Sequence, residues 1–182
     1  MNVESTLGYA LLGLLIQQPQ SGYDLRKLFV ATPMGVFSDS PGAIYPALGR
    51  LERRGWIAAG AAPRGGRRRR VYAPTADGRA AFAVWVSQSP TPDDIARRWD
   101  VLMLRVALMG GVVKPAVVDQ ILATTEAALD EYLASLEAFH AGPGQEMPML
   151  AQLAFESGIE SVRARARWVR RARQRAGVRR KR

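Results

Sequence analysis

Residues 40–55 read SPGAIYPALGRLERRG, and this stretch decides the fold. Ser40 stands where a helix N-cap is expected, followed by Pro41 at the first helical position, where its missing N–H costs nothing. Ile44, Leu48 and Leu51 recur at helical spacing as one apolar stripe, and Gly55 ends the element. Pro46 falls inside this helix. Its ring and its absent donor predict a tight or distorted first turn that exposes Ser40 and Tyr45. Arg50, Arg53 and Arg54 make the other faces basic, and the chain soon continues as RGGRRRR at 64–70.

Two further helical stripes precede this stretch. Leu7, Leu11, Leu14 and Leu15 lie within 5–17, ended by Pro19. Leu25, Leu28 and Phe29 follow a capping Ser21. After it, WIAA at 56–59 and RRVYA at 69–73 read as short strands, joined by the glycine-rich and arginine-rich GAAPRGGRR at 60–68. Three helices followed by a two-stranded hairpin describe a winged helix-turn-helix. In that architecture the third helix enters the major groove and the hairpin tip reaches backbone or minor groove.

The segments LGYALLGLL, SGYDL, SPGAIYPALGRLERRGWI and GGRRRRVYAPTADGRAAF, spanning residues 7–83, resemble the PadR family of transcriptional regulators in order and spacing. The resemblance implies a dimer, mostly a repressor, released from DNA in many members by a small molecule. It further implies the longer form, whose helical C-terminal domain dimerises. Gly49 stands where members usually carry a longer, often charged side chain, and the run of four arginines makes this wing more basic than many.

The DNA-binding residues expected on this reading are Tyr23, Lys27, Ser40, Tyr45, Arg50, Arg64, Arg67, Arg68 and Arg69. Tyr45 contacts DNA, or else serves as a capping or core aromatic. Arg50, five residues beyond it, faces the duplex or its backbone, while Arg53 or Arg54 is left to solvent. Side chains alternate across a strand, so only some wing arginines meet one groove; Arg67 and Arg68 are placed at the tip. A solvated charge run is the alternative. Tyr23 reaches the DNA backbone or packs against helix three.

Thr75 is expected to cap a helix through Phe82, Trp85 and Val86, and the proline-rich SQSPTP marks a boundary between domains 1–88 and 89–182. Asp93 and Asp94 suit a helix N-terminus, and Ile95, Trp99, Leu102 and Val106 form one stripe that ends at Gly110–Gly111. Leu122, Thr125, Leu129, Tyr132, Leu136 and Phe139 then alternate spacings of three and four, the seam of a helix that needs a partner. A last helix carries Phe155, Ile159, Val162, Ala166, Val169 and Ala172 on one side. A homodimer is expected to bury Leu122, Leu129, Tyr132, Leu136, Phe139, Ile159, Val162 and Val169; an intramolecular bundle is the alternative. Trp85, Trp99 and Trp168 could line a cavity for a small aromatic effector, or belong to the packing. The fold class is mainly α with a small β-hairpin wing: a winged helix-turn-helix and a C-terminal helical dimerisation domain.

Charge supports a polyanionic partner. The 182 residues carry a net charge of +10, and 23 of the 26 cations are arginine, whose planar fork matches phosphate oxygens and guanine edges. Residues 1–90 hold 11 cations against 5 anions, 91–158 hold 4 against 10, and 159–182 hold 11 against 1. This basic front, acidic middle and basic tail suggest separate tasks, and the tail is read as solvated or frayed, or as a further contact to the DNA backbone. The opening MNVESTLGYALLGLLIQQ lacks a basic lead and a cleavage site, so no signal peptide is expected, and no apolar run approaches the ~18–20 residues of a membrane span. A cytoplasmic protein is expected.

The absence of cysteine and the single His140 exclude thiol chemistry and a histidine-rich metal cluster, and no phosphate-loop motif is present. Neither an enzyme nor a cofactor nor a metal site is expected. The rival reading is a sequence-indifferent nucleic-acid-binding or RNA-associated basic protein. Such a protein would interleave aromatics with cations on an exposed sheet, whereas here the aromatics follow core spacing.

Overall fold

The structure, a computed structural model, describes residues 4–37, 41–61 and 70–179. The chain divides into two compact units, Met1–Val86 and Ser87–Arg182.

The first unit opens with α1 (Thr6–Gln17), capped by Ser5, whose Oγ accepts from Gly8 N–H. Strand β1 (Gln20–Ser21) leads into α2 (Gly22–Ala31), where Ser21 caps through its Oγ and donates to Asp24 at 2.6 Å. Two 3-10 turns, Pro33–Phe37 and Pro41–Ala43, precede α3 (Ile44–Arg53). Strands β2 (Ile57–Ala61) and β3 (Arg70–Pro74) form the wing, and α4 (Ala76–Val86) closes the unit. Leu11, Leu12, Leu15, Leu25, Phe29, Leu48, Leu51 and Phe82 are fully or almost fully buried, so the stripes read from the sequence meet in one core. Burying each such side chain is worth about 1.5–3 kcal/mol.

Three details differ from expectation. The sheet has three strands in the order β1-β3-β2, not two, because Gln20 and Ser21 pair with Tyr72 and Val71. Two residues are too short a run to show a period. The α-helix begins at Ile44 rather than near Pro41, so Pro46 lies in its first turn. N–H groups there have no intrahelical acceptor, and the proline removes no helical hydrogen bond. The cap position is Ala43, which makes no side-chain cap hydrogen bond; Ser40 lies outside the described residues.

Two glycines let elements close in. A Cβ on Gly78 would stand 2.0 Å from the Trp56 carbonyl oxygen, so only glycine lets α4 start against β2. Thr75 Oγ1 caps that start, accepting from Gly78 N–H at 3.1 Å and donating to the Gly55 carbonyl at 2.6 Å. A Cβ on Gly22 would stand 2.8 Å from the Tyr45 ring. The SGYDL and IYPAL segments are thus two halves of one α2–α3 contact.

The second unit contains α5 (Pro92–Ala96), α6 (Trp99–Leu108), α7 (Pro115–Ala141), a 3-10 turn (Pro143–Glu146) and α8 (Met149–Arg179). The stretch expected as one helix from Asp93 is two, because the backbone leaves helical angles at Arg97 and Arg98. No glycine or proline announces the break. Thr91 and Asp94 form a reciprocal capping box. Arg105, 3% exposed, lies 3.9 Å from Asp94 and donates to the Gln88 carbonyl. Burial lowers the Arg105 pKa below its ordinary value, with Asp94 opposing the shift.

Helices α7 and α8 pack as an antiparallel hairpin. Leu122, Leu129, Val162, Ala166 and Val169 share a cluster with Ile95 and Leu102. This corrects the dimer assignment: Leu122, Leu129, Ile159, Val162 and Val169 are each at most 5% exposed within one chain. Tyr132 and Leu136 are half-buried against the same cluster, and Phe139 packs on Phe155, with centroids 5.2 Å apart. A seam of threes and fours says that a helix needs a partner, and here the partner is α8 of the same chain. Part of the basic tail is paired within the chain. It is helical through Arg179, and Arg163 bonds Glu137 at 2.5 Å, Arg173 bonds Glu126 at 2.5 Å and Arg170 bonds Asp130. Arg163, Arg170 and Arg173 thus meet acidic residues of α7 across the hairpin, while Arg167, Arg171 and Arg175 are exposed. No helix among the described residues is long and apolar enough to cross a membrane.

Candidate nucleic-acid interface

Helix α3 buries Ile44, Ala47, Leu48 and Leu51, each at most 1% exposed. At 100° per residue this leaves Tyr45, Gly49 and Arg53 in one row on the opposite side, with Pro46 beside it. Tyr45 is 51% exposed. Gly49 has nothing within 4 Å of where a Cβ would be. Arg53 is exposed. The sequence reading placed Arg50 toward the duplex or its backbone and left Arg53 or Arg54 to solvent. The structure puts Arg50 on the flank, its Nε 3.8 Å from Glu4 Oε1. The signal for Arg53 was available: it stands eight residues after Tyr45, whereas five residues turn Arg50 through 500°, well off the row.

The wing is joined to this helix. Arg70, the first residue of β3, donates from Nη2 to Glu52 Oε1 at 2.6 Å and lies over the Tyr72 ring at 5.5 Å. Ala61 pairs with Arg70. Arg64, Arg67, Arg68 and Arg69 lie outside the described residues.

On α2, Tyr23 is 41% exposed rather than packed away. Its ring carries the Lys27 ammonium at 5.7 Å and the Arg26 guanidinium at 5.8 Å. Arg26, which the sequence reading passed over, thus joins Tyr23 and Lys27 on one exposed face. Together with the start of α3, whose N–H groups have no side-chain cap, these residues offer donors and cations suited to phosphate.

The three tryptophans fall in different units. Trp85 is 9% exposed, stacked on Tyr9 with centroids 4.6 Å apart and tilted against Phe82; it is core of the first unit. Trp99 and Trp168 meet edge to face at 6.3 Å in the second, with the Arg165 guanidinium 5.1 Å over Trp99.

Residues 11–84 match the PadR-like family of transcriptional regulators. Among solved structures, the chain is similar to Bacillus subtilis PadR in complex with operator DNA (21% identity, 93% of this chain and 98% of that one, TM-score 0.43). It is similar to the PadR-like regulator BC1756 from Bacillus cereus (24% identity, 93% and 94%, TM-score 0.42). It is also similar to Bacillus subtilis PadR in complex with p-coumaric acid (18% identity, 97% and 98%, TM-score 0.43). No curated protein sequence matches it.

Proposed function

We propose that this chain is a PadR-like transcriptional regulator through its first unit, whose residues 11–84 match that family, and that it is a cytoplasmic homodimeric repressor that reads an inverted repeat in double-stranded DNA. The observation that carries the reading is the α3 row of Tyr45, Gly49 and Arg53, backed by a fully buried face and tied to the wing through Glu52 and Arg70. A short rigid helix of this kind fits the major groove. One such unit reads a few base pairs, and two copies on half-sites about 34 Å apart multiply affinity. The domain division follows: the first unit binds DNA and the second holds the copies together.

The surface that supports dimerisation is not the heptad seam but the opposite side of α8. Met149, Leu150 and Leu153 are 70%, 73% and 54% exposed, and the row continues over Ser157, Ser161 and Ala164 to Trp168. Release by a small aromatic effector fits best in the groove of the second unit lined by Tyr132, Leu136, Phe155 and Arg165, about 400 Å³ in volume.

Footprinting the purified protein on the DNA upstream of its own coding region tests this reading. Protection of an inverted repeat supports it; uniform or absent protection overturns it.

A further inference from the structure

Glu4 is a buried carboxylate beside the DNA-facing helix. Its side chain is 1% exposed. Oε1 accepts from the Ser5 N–H at 3.0 Å and the Ser5 hydroxyl at 3.2 Å. Arg50 Nε lies 3.8 Å from Oε1 and Arg54 Nε lies 3.5 Å from Oε2, which is buried and accepts no hydrogen bond. The niche is built for it: a Cβ on Gly8 would stand 2.4 Å from Oε1. Burying a carboxylate costs several kcal/mol unless cations answer it, and both cations come from the end of α3. They flank the row of Tyr45, Gly49 and Arg53.

We propose that Glu4 is a specificity-determining positioning residue, which holds Arg50 and Arg54 away from indiscriminate phosphate contact and so keeps non-specific DNA binding weak. The proposal rests on the duplex-binding reading. Non-specific affinity and its salt dependence follow the number of phosphates neutralised, about 0.9 log–log units for each. Specificity is the ratio of operator to non-specific affinity. A pair of arginines drawn toward Glu4, though 42% and 30% exposed, lowers the second quantity and leaves the first to Tyr45, Arg53 and the wing.

The test uses the full chain, a labelled duplex from upstream of its coding region, a scrambled duplex of the same composition, and a potassium chloride series. Glu4→Gln is expected to bind the scrambled duplex more tightly, with a salt slope steeper by up to ~1.8 log–log units for two released cations, and to discriminate less. The triple variant Glu4→Gln, Arg50→Gln, Arg54→Gln contains no buried unpaired charge and is expected to return to the wild-type slope. An unchanged or shallower slope in Glu4→Gln overturns the proposal. So does a triple variant with a slope shallower than wild type, which would mean that the arginines already touch phosphate; this second comparison holds even if Glu4→Gln fails to fold. A wild type that binds neither duplex overturns the duplex-binding reading itself, and the proposal with it.

Discussion

Glu52 on α3 and Arg70 on β3 are joined by a 2.6 Å hydrogen bond across 18 residues of chain. This bond fixes the wing to the helix it flanks. Arg70 is 60% exposed and Glu52 30%, so water screens the pair. A double-mutant cycle with Glu52→Ala and Arg70→Ala, followed by urea unfolding, is expected to give a coupling of no more than about 1 kcal/mol. The bond orients the wing more than it stabilises the unit.

Gly49 has no intramolecular reason to be glycine, since a Cβ there meets nothing. Within a helix it costs about 1 kcal/mol relative to alanine. Gly49→Ala is therefore expected to raise stability by up to that amount while weakening operator binding, because on the proposed reading α3 presents this position to the groove. Thermal melts and titrations on the same samples read the two opposite signs. A variant that gains both stability and operator affinity would place Gly49 away from the DNA.

Gly78→Ala has the reverse logic. Its new methyl group would meet the Trp56 carbonyl at 2.0 Å, backbone that moves only with the wing. The expected loss is at least the ~1–3 kcal/mol typical of overpacking, read as a fall in the urea midpoint.

Tyr9 supplies a pH signature. Burial raises its pKa above the usual value near 10, the Glu4 carboxylate adds to the rise and Arg54 opposes it. In the alkaline window the folded state then keeps a proton that the unfolded chain gives up. Stability is unaffected below pH ~10 and falls as pH rises beyond it. Tyr9→Phe should flatten that fall, measured as unfolding free energy against pH.

The two faces of the α7–α8 hairpin are separated by a pair of variants. Leu129→Ala empties a fully buried site and should cost about 2–5 kcal/mol. Leu150→Asp, at an exposed site, should leave helix content intact and shift sedimentation toward monomer. If Leu129→Ala instead dissociates a stable fold, the seam belongs to the dimer.

Much of the first unit was legible because its signals are local. Ser21 and Thr75 cap the helices that follow them, and three apolar stripes converge on one core. Gly78 and Gly22 make sense of motifs whose spacing was visible but whose cause was a contact between elements. What sequence could not show was which distant charges meet. Arg163 finds Glu137, 26 residues away, and Arg173 finds Glu126, 47 away, so part of a charge that reads as a free basic tail is answered within the hairpin. Glu4 similarly claims Arg50 and Arg54 from 46 and 50 positions distant. The heptad seam was legible as a demand for a partner, and its source in the same chain was not. The α5–α6 break at Arg97–Arg98 carried no local signal at all.

The central claim is that the outward row of α3 reads base sequence. Fluorescence anisotropy at moderate ionic strength, comparing the protected upstream duplex with its scrambled counterpart, tests it most directly with wild type and the Tyr45→Ala, Arg53→Gln double variant. The account predicts that wild type prefers the upstream duplex and that the variant loses most of that preference while retaining its scrambled-duplex affinity within the loss of one cation. Equal affinity of wild type for both duplexes, or an undiminished preference in the variant, would contradict it.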